Sequence, residues 1–474
     1  MKKLFSENLT VQLVFLSLIV FLSRIPFLSA GFGAEEDSWL LAITAKNIAE
    51  SGIYEMSRAP GHPLQEIIYS WMYSNGLFAF ASNLISAIAS VIASVFFALS
   101  LRNLGFRHYL FASFAFAFAP VVFISSTYTI DYMLAMAIVM MSFYFLLHEK
   151  LLVAGILLGI AVGFRITSGI MLIPFCILLF PISKNIKGIF ILGLSSVFIG
   201  LLIYLPVIKT YGFSFFTFSD QFPYPNFFKV FYKATIGVFG LIGLTTIVFF
   251  KLKILFERIK SKESFIPAEL SKKLFYASCI AIVLCIISYL RLPQKSAYLI
   301  PMIPFVILLF GHFLSSDAFK VFCVLLTMSS FLFSINLTDS LRGSEYSPLA
   351  MKFTMTGQEI FIDPITGPVY SDYSKRLNKI IFTEKIFKKT RIEQKKIILI
   401  CGWWYNELLV RNWDCEKNQN VILVFYINKA TMEKYISDGY EIYFLPEQNL
   451  YNDQYFQMNG TVAAAKPYLV NSQK

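Results

Sequence analysis

"LLVAGILLGIAVGFRITSGIMLIPFCILLFPI", residues 151–182, decides how many times this chain crosses a bilayer. At about 1.5 Å per helical residue it is long enough for one tilted helix or two short ones, and Arg165 interrupts it near the middle. The rest of the chain supplies the context. Hydrophobic residues are 57% of 474 and charged residues only 15%, whereas a soluble domain carries about a quarter charged. The apolar residues also come in blocks of about 18–22, the length that crosses a hydrocarbon core of about 30 Å as a helix. Blocks near 9–29, 77–101, 109–127, 130–147, 188–208, 230–250, 274–290, 297–314 and 318–337 therefore read as spans.

Lys and Arg in the short loops set the orientation. Lys2 and Lys3, Arg102 and Arg107, Lys150, Lys184 and Lys187, and the basic stretch 251–273 should share the cytoplasmic side. Alternating crossings allow this only if 151–182 is a helical hairpin with Arg165 near its outer tip. The expectation is a polytopic α-helical membrane protein of about eleven spans in the cell membrane, with the opening loop 31–76 outside. A secretory signal also fits the first block, since Lys2 and Lys3 precede an apolar core and "LSA" at 28–30 would suit cleavage. The run from Leu9 is long for a signal core, which favours a retained helix. The formal charge of +12 needs no nucleic-acid partner, because cytoplasmic anchoring accounts for much of it.

Beyond the last block, 339–474 is polar, with strand-like "KIILIC" (396–401) and "VILVFYI" (421–427) and a helical pattern at 429–438. The division expected is a transmembrane domain over 1–338 and a small extracytoplasmic α/β domain over 339–474. Outside the cell Cys401 and Cys415 could pair, or remain reduced with Cys401 in a buried strand. Cys176, Cys279, Cys285 and Cys323 sit in apolar runs as small core residues.

The opening loop is unlike the rest. In "AEEDSWLLAITAKNIAESGIYEMSRAPGHPL", 34–64, three acids precede an amphipathic pattern over Ser38–Glu50 that Ser51-Gly52 ends. A second pattern, Leu64, Ile67, Ile68, Trp71 and Met72, follows the rigid turn "RAPGHP". Both suit helices lying in the membrane interface, with Glu35, Glu36 and Asp37 at the mouth of the bundle. The plain alternative is that Asp37 caps a helix and its neighbours are solvated. Other charges bear on that choice: Asp131 in "STYTIDYML", Arg165 in "GFRITSG", and Arg291 and Lys295 in "LRLPQKSAY" all fall at outer span ends. An ionisable group inside a bilayer costs roughly 2.5–3.5 kcal/mol and usually faces a cavity or a partner.

Acids and cations gathered at a lipid surface suit transfer of a group from a lipid phosphate to a hydroxyl. A carboxylate can take the acceptor's proton, and Arg or Lys can stabilise the phosphate that leaves. No Gly-rich phosphate loop follows the strands of the C-terminal region, so a nucleotide donor is not indicated. A transporter or flippase of an anionic lipid or solute is the alternative, but such proteins place charges near the midplane and often carry repeated halves, and no repeat is visible here.

At this point the chain resembles the C superfamily of membrane glycosyltransferases that use polyprenyl-phosphate sugars, including protein O-mannosyltransferases and the aminoarabinose transferase of lipid A. The resemblance covers about three quarters of the chain. It rests on the acidic motif followed by "NIAESGIYEMSRAPGHPL", on Asp131, and on "KSAYLIPMIP" at 295–304. It implies inverting transfer to an extracytoplasmic protein, lipid or glycan, with Asp37 as the acid that activates the acceptor and Asp131 as the second acid. It further implies that Arg58 lies near the donor, with Lys295 and Tyr298 approaching the phosphate; Arg291 and Arg165, read from the charges at outer span ends, are expected to bind the same phosphate. The family usually has an acid directly after the first Asp, where this chain has Ser38, leaving Glu36 or Glu35 as the second carboxylate. Mg²⁺ or Mn²⁺ would suit such acids, although no ligand spacing demands a metal. "GWWYNE" at 402–407 lacks the Asp and Gly of the oligosaccharyltransferase motif it partly matches, and reads as tryptophans packed over a strand end.

Overall fold

A computed structural model describes residues 8–76, 80–183, 186–213, 224–261, 269–337, 348–355, 358–411, 418–445 and 465–469. Lys2, Lys3, Lys184, Lys262 and Cys415 lie outside the described residues. About 72% of the structure is helical. In chain order the helices are α1 Leu9–Arg24, α2 Glu36–Ser51, α3 Pro63–Ser74, α4 Phe80–Asn103, α5 Tyr109–Ala117, α6 Pro120–Ser125, α7 Tyr132–Leu147, α8 Leu151–Phe164 and α9 Leu172–Ser183. They continue with α10 Ile186–Tyr211, α11 Phe227–Ala234, α12 Ile236–Ser261, α13 Glu269–Arg291, α14 Ile303–Phe313 and α15 Ser316–Met328, and then α16 Pro368–Arg391, α17 Tyr405–Arg411 and α18 Lys429–Ser437. The strands are β1 Ser334–Leu337, β2 Met351–Met355, β3 Gln358–Asp363, β4 Ile397–Ile400, β5 Val421–Val424, β6 Glu441–Phe444 and β7 Lys466–Pro467.

Six segments among the described residues are long and apolar enough to cross a membrane: Leu9–Phe27, Phe80–Asn103, Ile186–Tyr211, Ile236–Lys260, Lys272–Arg291 and Ser296–Phe313. Three shorter apolar helices accompany them, Tyr132–Leu147, Leu151–Phe164 and Ile166–Leu179. The decisive stretch 151–182 is indeed two helices. α8 stops at Phe164, Arg165 adopts an extended backbone with φ −155° and ψ 112°, and a 3₁₀ turn over Ile166–Met171 leads into α9.

Two expected spans differ. The block 109–127 is broken into α5 and α6, because Pro120 offers no N–H and holds Ala119 extended at ψ 133°. The block 318–337 ends as a helix at Met328, and its last residues form β1, paired antiparallel with β3 from Ser334↔Asp363 to Leu337↔Ile360.

The chain forms two compact units. The first holds the described residues of 1–29, 44–338 and 346–372, so β1, β2 and β3 belong with the helices. Its core is aromatic, with Phe143 stacked on Phe175 and edge-on to Phe305. One helix pair fixes its geometry. A Cβ added at Gly159 of α8 would lie 2.7 Å from Ile199 Cβ and Ser196 O of α10, and one at Gly163 would strike Ile203 of α10 and Leu64 of α3. Glycine is what lets three helices meet there.

The second unit holds the described residues of 30–43 and 373–474. Its sheet runs β5-β4-β6-β7, all parallel, with β4 wholly buried as a central strand covered on both faces should be. Ile386 of α16 and Leu408 of α17 pack with Ile397 and Leu399 on one face; Met432 of α18 packs with Ile398 and Ile400 on the other. Trp404 of "GWWYNE" lies buried against Phe382, a packing role.

Candidate active site

In the helical unit the turn "RAPGHP" is held by buried polar contacts before any ligand is considered. Glu66, wholly buried in α3, accepts from Ser57 N and Ser57 Oγ at 2.7 Å each and from Tyr54 Oη at 2.5 Å. Gly61, at φ +89°, takes a conformation few other residues tolerate, and its carbonyl accepts from Tyr204 Oη of α10 at 2.9 Å. These bonds aim Arg58 and His62 at the start of α7.

There Asp131 is fully buried, with a relative exposure of 0%. Arg58 Nη2 donates to its Oδ1 at 2.5 Å and Arg165 Nη1 donates to its Oδ2 at 2.7 Å. His62 Nδ1 lies 3.6 Å from Oδ2 and donates to Phe164 O at 2.8 Å. The Arg165 guanidinium also sits over the rings of Tyr132, 4.6 Å, and Tyr298, 4.7 Å. The break at Arg165 makes this possible, since an extended residue between helices turns its side chain away from the α8 surface.

The electrostatics follow. The Asp131 carboxylate is surrounded by Arg58, Arg165 and His62, which lie within 2.5, 2.7 and 3.6 Å of its oxygens. Burial, aided by Arg58, lowers His62 to about 4, so the imidazole is neutral at pH 7. Two guanidiniums thus share one carboxylate. Both keep some exposure, 16% for Arg58 and 13% for Arg165.

Asp131, Arg58, Arg165 and Tyr298 are therefore brought together. Arg291 and Lys295 lie on the stretch leading to Tyr298: Arg291 is exposed at the end of α13, and Lys295 precedes the 3₁₀ turn Ser296–Met302. His62, Tyr132 and Glu66 were missed in the sequence, although the Pro-Gly-His-Pro run marked the backbone that carries His62.

Glu36 and Asp37 belong to the second unit. Both lie in the first turn of α2, inside the helix rather than at its cap, where a negative charge complements the helix dipole. Glu36 has a built partnership: Lys379 Nζ donates to its Oε1 at 3.1 Å and Asn406 Nδ2 to its Oε2 at 3.2 Å. Lys379 also lies 3.3 Å from the fully buried Glu407. Burial pushes the Glu36 pKa up against the pull of Lys379; at Lys379 burial is outweighed by Glu36 and Glu407, which raise its pKa.

Mg²⁺ or Mn²⁺ would need clustered oxygen donors. Glu36 and Glu407 approach one another, but Lys379 already bridges them, so this pair does not fit a divalent ion. Among the described residues no three His, Cys, Asp or Glu gather as metal ligands.

Long apolar helices and a broken helix that delivers an arginine to the turn carrying Arg58 and His62 make up this part of the fold. Among solved structures, ArnT from Cupriavidus metallidurans, bound to undecaprenyl phosphate, matches 97% of this chain and 89% of its own, with a TM-score of 0.53 and 10% identity. No family model and no curated protein sequence matches. At such low identity the likeness is one of fold.

Proposed function

We propose that this protein transfers a sugar from a polyprenyl-phosphate donor to a hydroxyl of an extracytoplasmic protein, lipid or glycan, with inversion at the anomeric carbon. The observation that carries the proposal is the Arg58–Asp131–Arg165 cluster, in which two partly exposed guanidiniums converge on one buried carboxylate. Guanidiniums gathered in a poorly solvated site favour an anion such as phosphate, which they can bind through forked, charge-assisted hydrogen bonds. The shared fold of a protein solved with undecaprenyl phosphate supports the same donor class.

In the reaction the acceptor oxygen bonds to the anomeric carbon as the bond from that carbon to the phosphate oxygen breaks. The acceptor's proton passes to a carboxylate base, the role that the family resemblance gives to Asp37, and polyprenyl phosphate departs with the electron pair. Arg165 and Arg58, with Arg291, Lys295 and the Tyr298 hydroxyl, would stabilise its negative charge. Asp131, saturated by two arginines, positions them and takes no proton. The site faces the outer side of the bilayer.

Incubating the purified protein with a polyprenyl-phosphate sugar and an envelope extract tests this. Release of polyprenyl phosphate that depends on the extract is expected. An intact donor moved across a vesicle membrane would establish a transporter instead, and a donor neither consumed nor moved would overturn both.

A further inference from the structure

At the opposite end of the same helices lies a second feature that sugar transfer does not use. α7 starts directly after Asp131 and α8 ends directly before Arg165. The far ends of that pair, Leu146, Leu147 and Leu151, are about 24 Å away at 1.5 Å per residue. They line a cavity of about 790 Å³, well within the range of small-ligand pockets, about 300–1,000 Å³.

Its polar lining is mostly basic: Arg107, His108, Lys273 and His312 against a single acid, Glu149. The helix ends give no net sign, since α5, α8 and α15 begin there and α4, α7 and α14 finish there, so their dipoles cancel. Side chains decide it. Arg107 and Lys273 outweigh Glu149 by one charge with both histidines neutral, and protonation of either would add to the excess.

The rest of the lining is apolar, with Leu104, Phe106, Leu178, Leu179, Leu274 and Phe319 among it. Gly311 lets the aromatic wall close, because a Cβ there would meet Phe106 at 2.5 Å and Phe319 at 3.0 Å. His108 Nε2 bonds Ser316 Oγ at 2.8 Å, tying the start of α5 to the start of α15 across the cavity. A basic rim over a leucine-rich interior, at the ends of membrane-crossing helices, matches one ligand shape. We infer that this cavity binds an anionic phospholipid, its phosphate at Arg107 and Lys273 and part of an acyl chain against the leucines.

The test uses the full-length protein in a neutral detergent, titrated with dioleoyl phosphatidylglycerol, dioleoyl phosphatidylcholine or inorganic phosphate and read by native mass spectrometry. Saturable binding of one phosphatidylglycerol, at least about tenfold tighter than phosphatidylcholine, is expected. Arg107→Gln with Lys273→Gln should weaken it by about tenfold or more, the size expected for loss of charged hydrogen bonds. Arg107 is exposed and Lys273 half-buried, so the variant should fold, and an unchanged thermal midpoint checks that. Leu274→Asp, which puts an acid among the leucines that hold the chain, provides a second, independent loss. Equal affinity for the two lipids, or undiminished binding in both variants, overturns the inference. Displacement of the lipid by millimolar inorganic phosphate would make the occupant a soluble anion and overturn the lipid assignment.

Discussion

Asp131 and Arg165 bracket a pair of apolar helices, one residue before α7 and one residue after α8, and meet across 2.7 Å. The ion pair closes the open end of the α7–α8 pair, so the carboxylate is part of the framework.

Asp131→Asn should therefore cost stability before it costs chemistry. Removing one partner of a buried ion pair typically costs about 3–5 kcal/mol, because the remaining charges lose their counter-ion. A marked drop in the thermal midpoint in detergent is expected, with part of the loss recovered when Arg58→Gln is added. A midpoint equal to wild type, with activity abolished, would instead make Asp131 the proton acceptor.

Arg165→Lys keeps the charge but loses the planar contact with Tyr132 and Tyr298 and the forked geometry a phosphate prefers. Together with Lys295→Gln, it tests the donor side. Each should lower kcat/KM for the polyprenyl-phosphate sugar by about 1.5–3 kcal/mol, the worth of a hydrogen bond to a charged group. Wild-type donor kinetics in both would remove these residues from the site.

His62 predicts a pH dependence. Its folded pKa of about 4 lies below the ordinary 6.5, so between those values the unfolded chain binds a proton that the folded chain does not. Stability is then full above about pH 6.5 and falls as the pH drops towards 4, by up to about 3 kcal/mol. Thermal midpoints measured from pH 7.5 to 4.5 should show this slope in the wild type, and a shallower one in His62→Gln.

Asp37→Asn separates a helix-dipole partner from a base. As a first-turn charge it contributes about 0.3–1 kcal/mol, so its loss as a purely structural residue would be modest. As the acceptor's base it has no substitute in an amide, and turnover should fall by about 10²–10⁴-fold with the fold intact. Near-normal turnover would move the search to Glu35.

Lys379→Met leaves Glu36 and Glu407 facing each other without their shared cation. The expected loss is again about 3–5 kcal/mol, read as faster proteolysis within 373–445 of the full-length protein. Adding Glu407→Gln should slow cleavage again.

The apolar blocks made most helices legible, and Arg165 marked the break in 151–182 because a charge in the middle of such a run needs a partner. The break at Pro120 was passed over because hydropathy averages across a proline that the backbone cannot ignore. Asp131, Arg58, Arg165 and Tyr298 were legible as charges or motif residues at span ends. Their mutual contacts were not, since Arg58 and Asp131 are separated by 73 positions and meet only through packing. The Glu36–Lys379 pair spans 343 positions, and nothing local in α16 distinguishes Lys379 from its many basic neighbours.

The glycine contact between α8 and α10 has a mechanical consequence. α10 presents Phe190, Leu194, Val197, Phe198 and Leu201 outward and, on its other side, holds Gly61 through Tyr204. With backbone touching backbone at Gly159, the pair cannot absorb a push by rearranging side chains. α10 then behaves as a strut, carrying the lateral pressure of the surrounding lipid to the turn that aims Arg58 and His62. A single methyl group added at Gly159 would push α10 away from α8 and so shift the turn that aims the arginine.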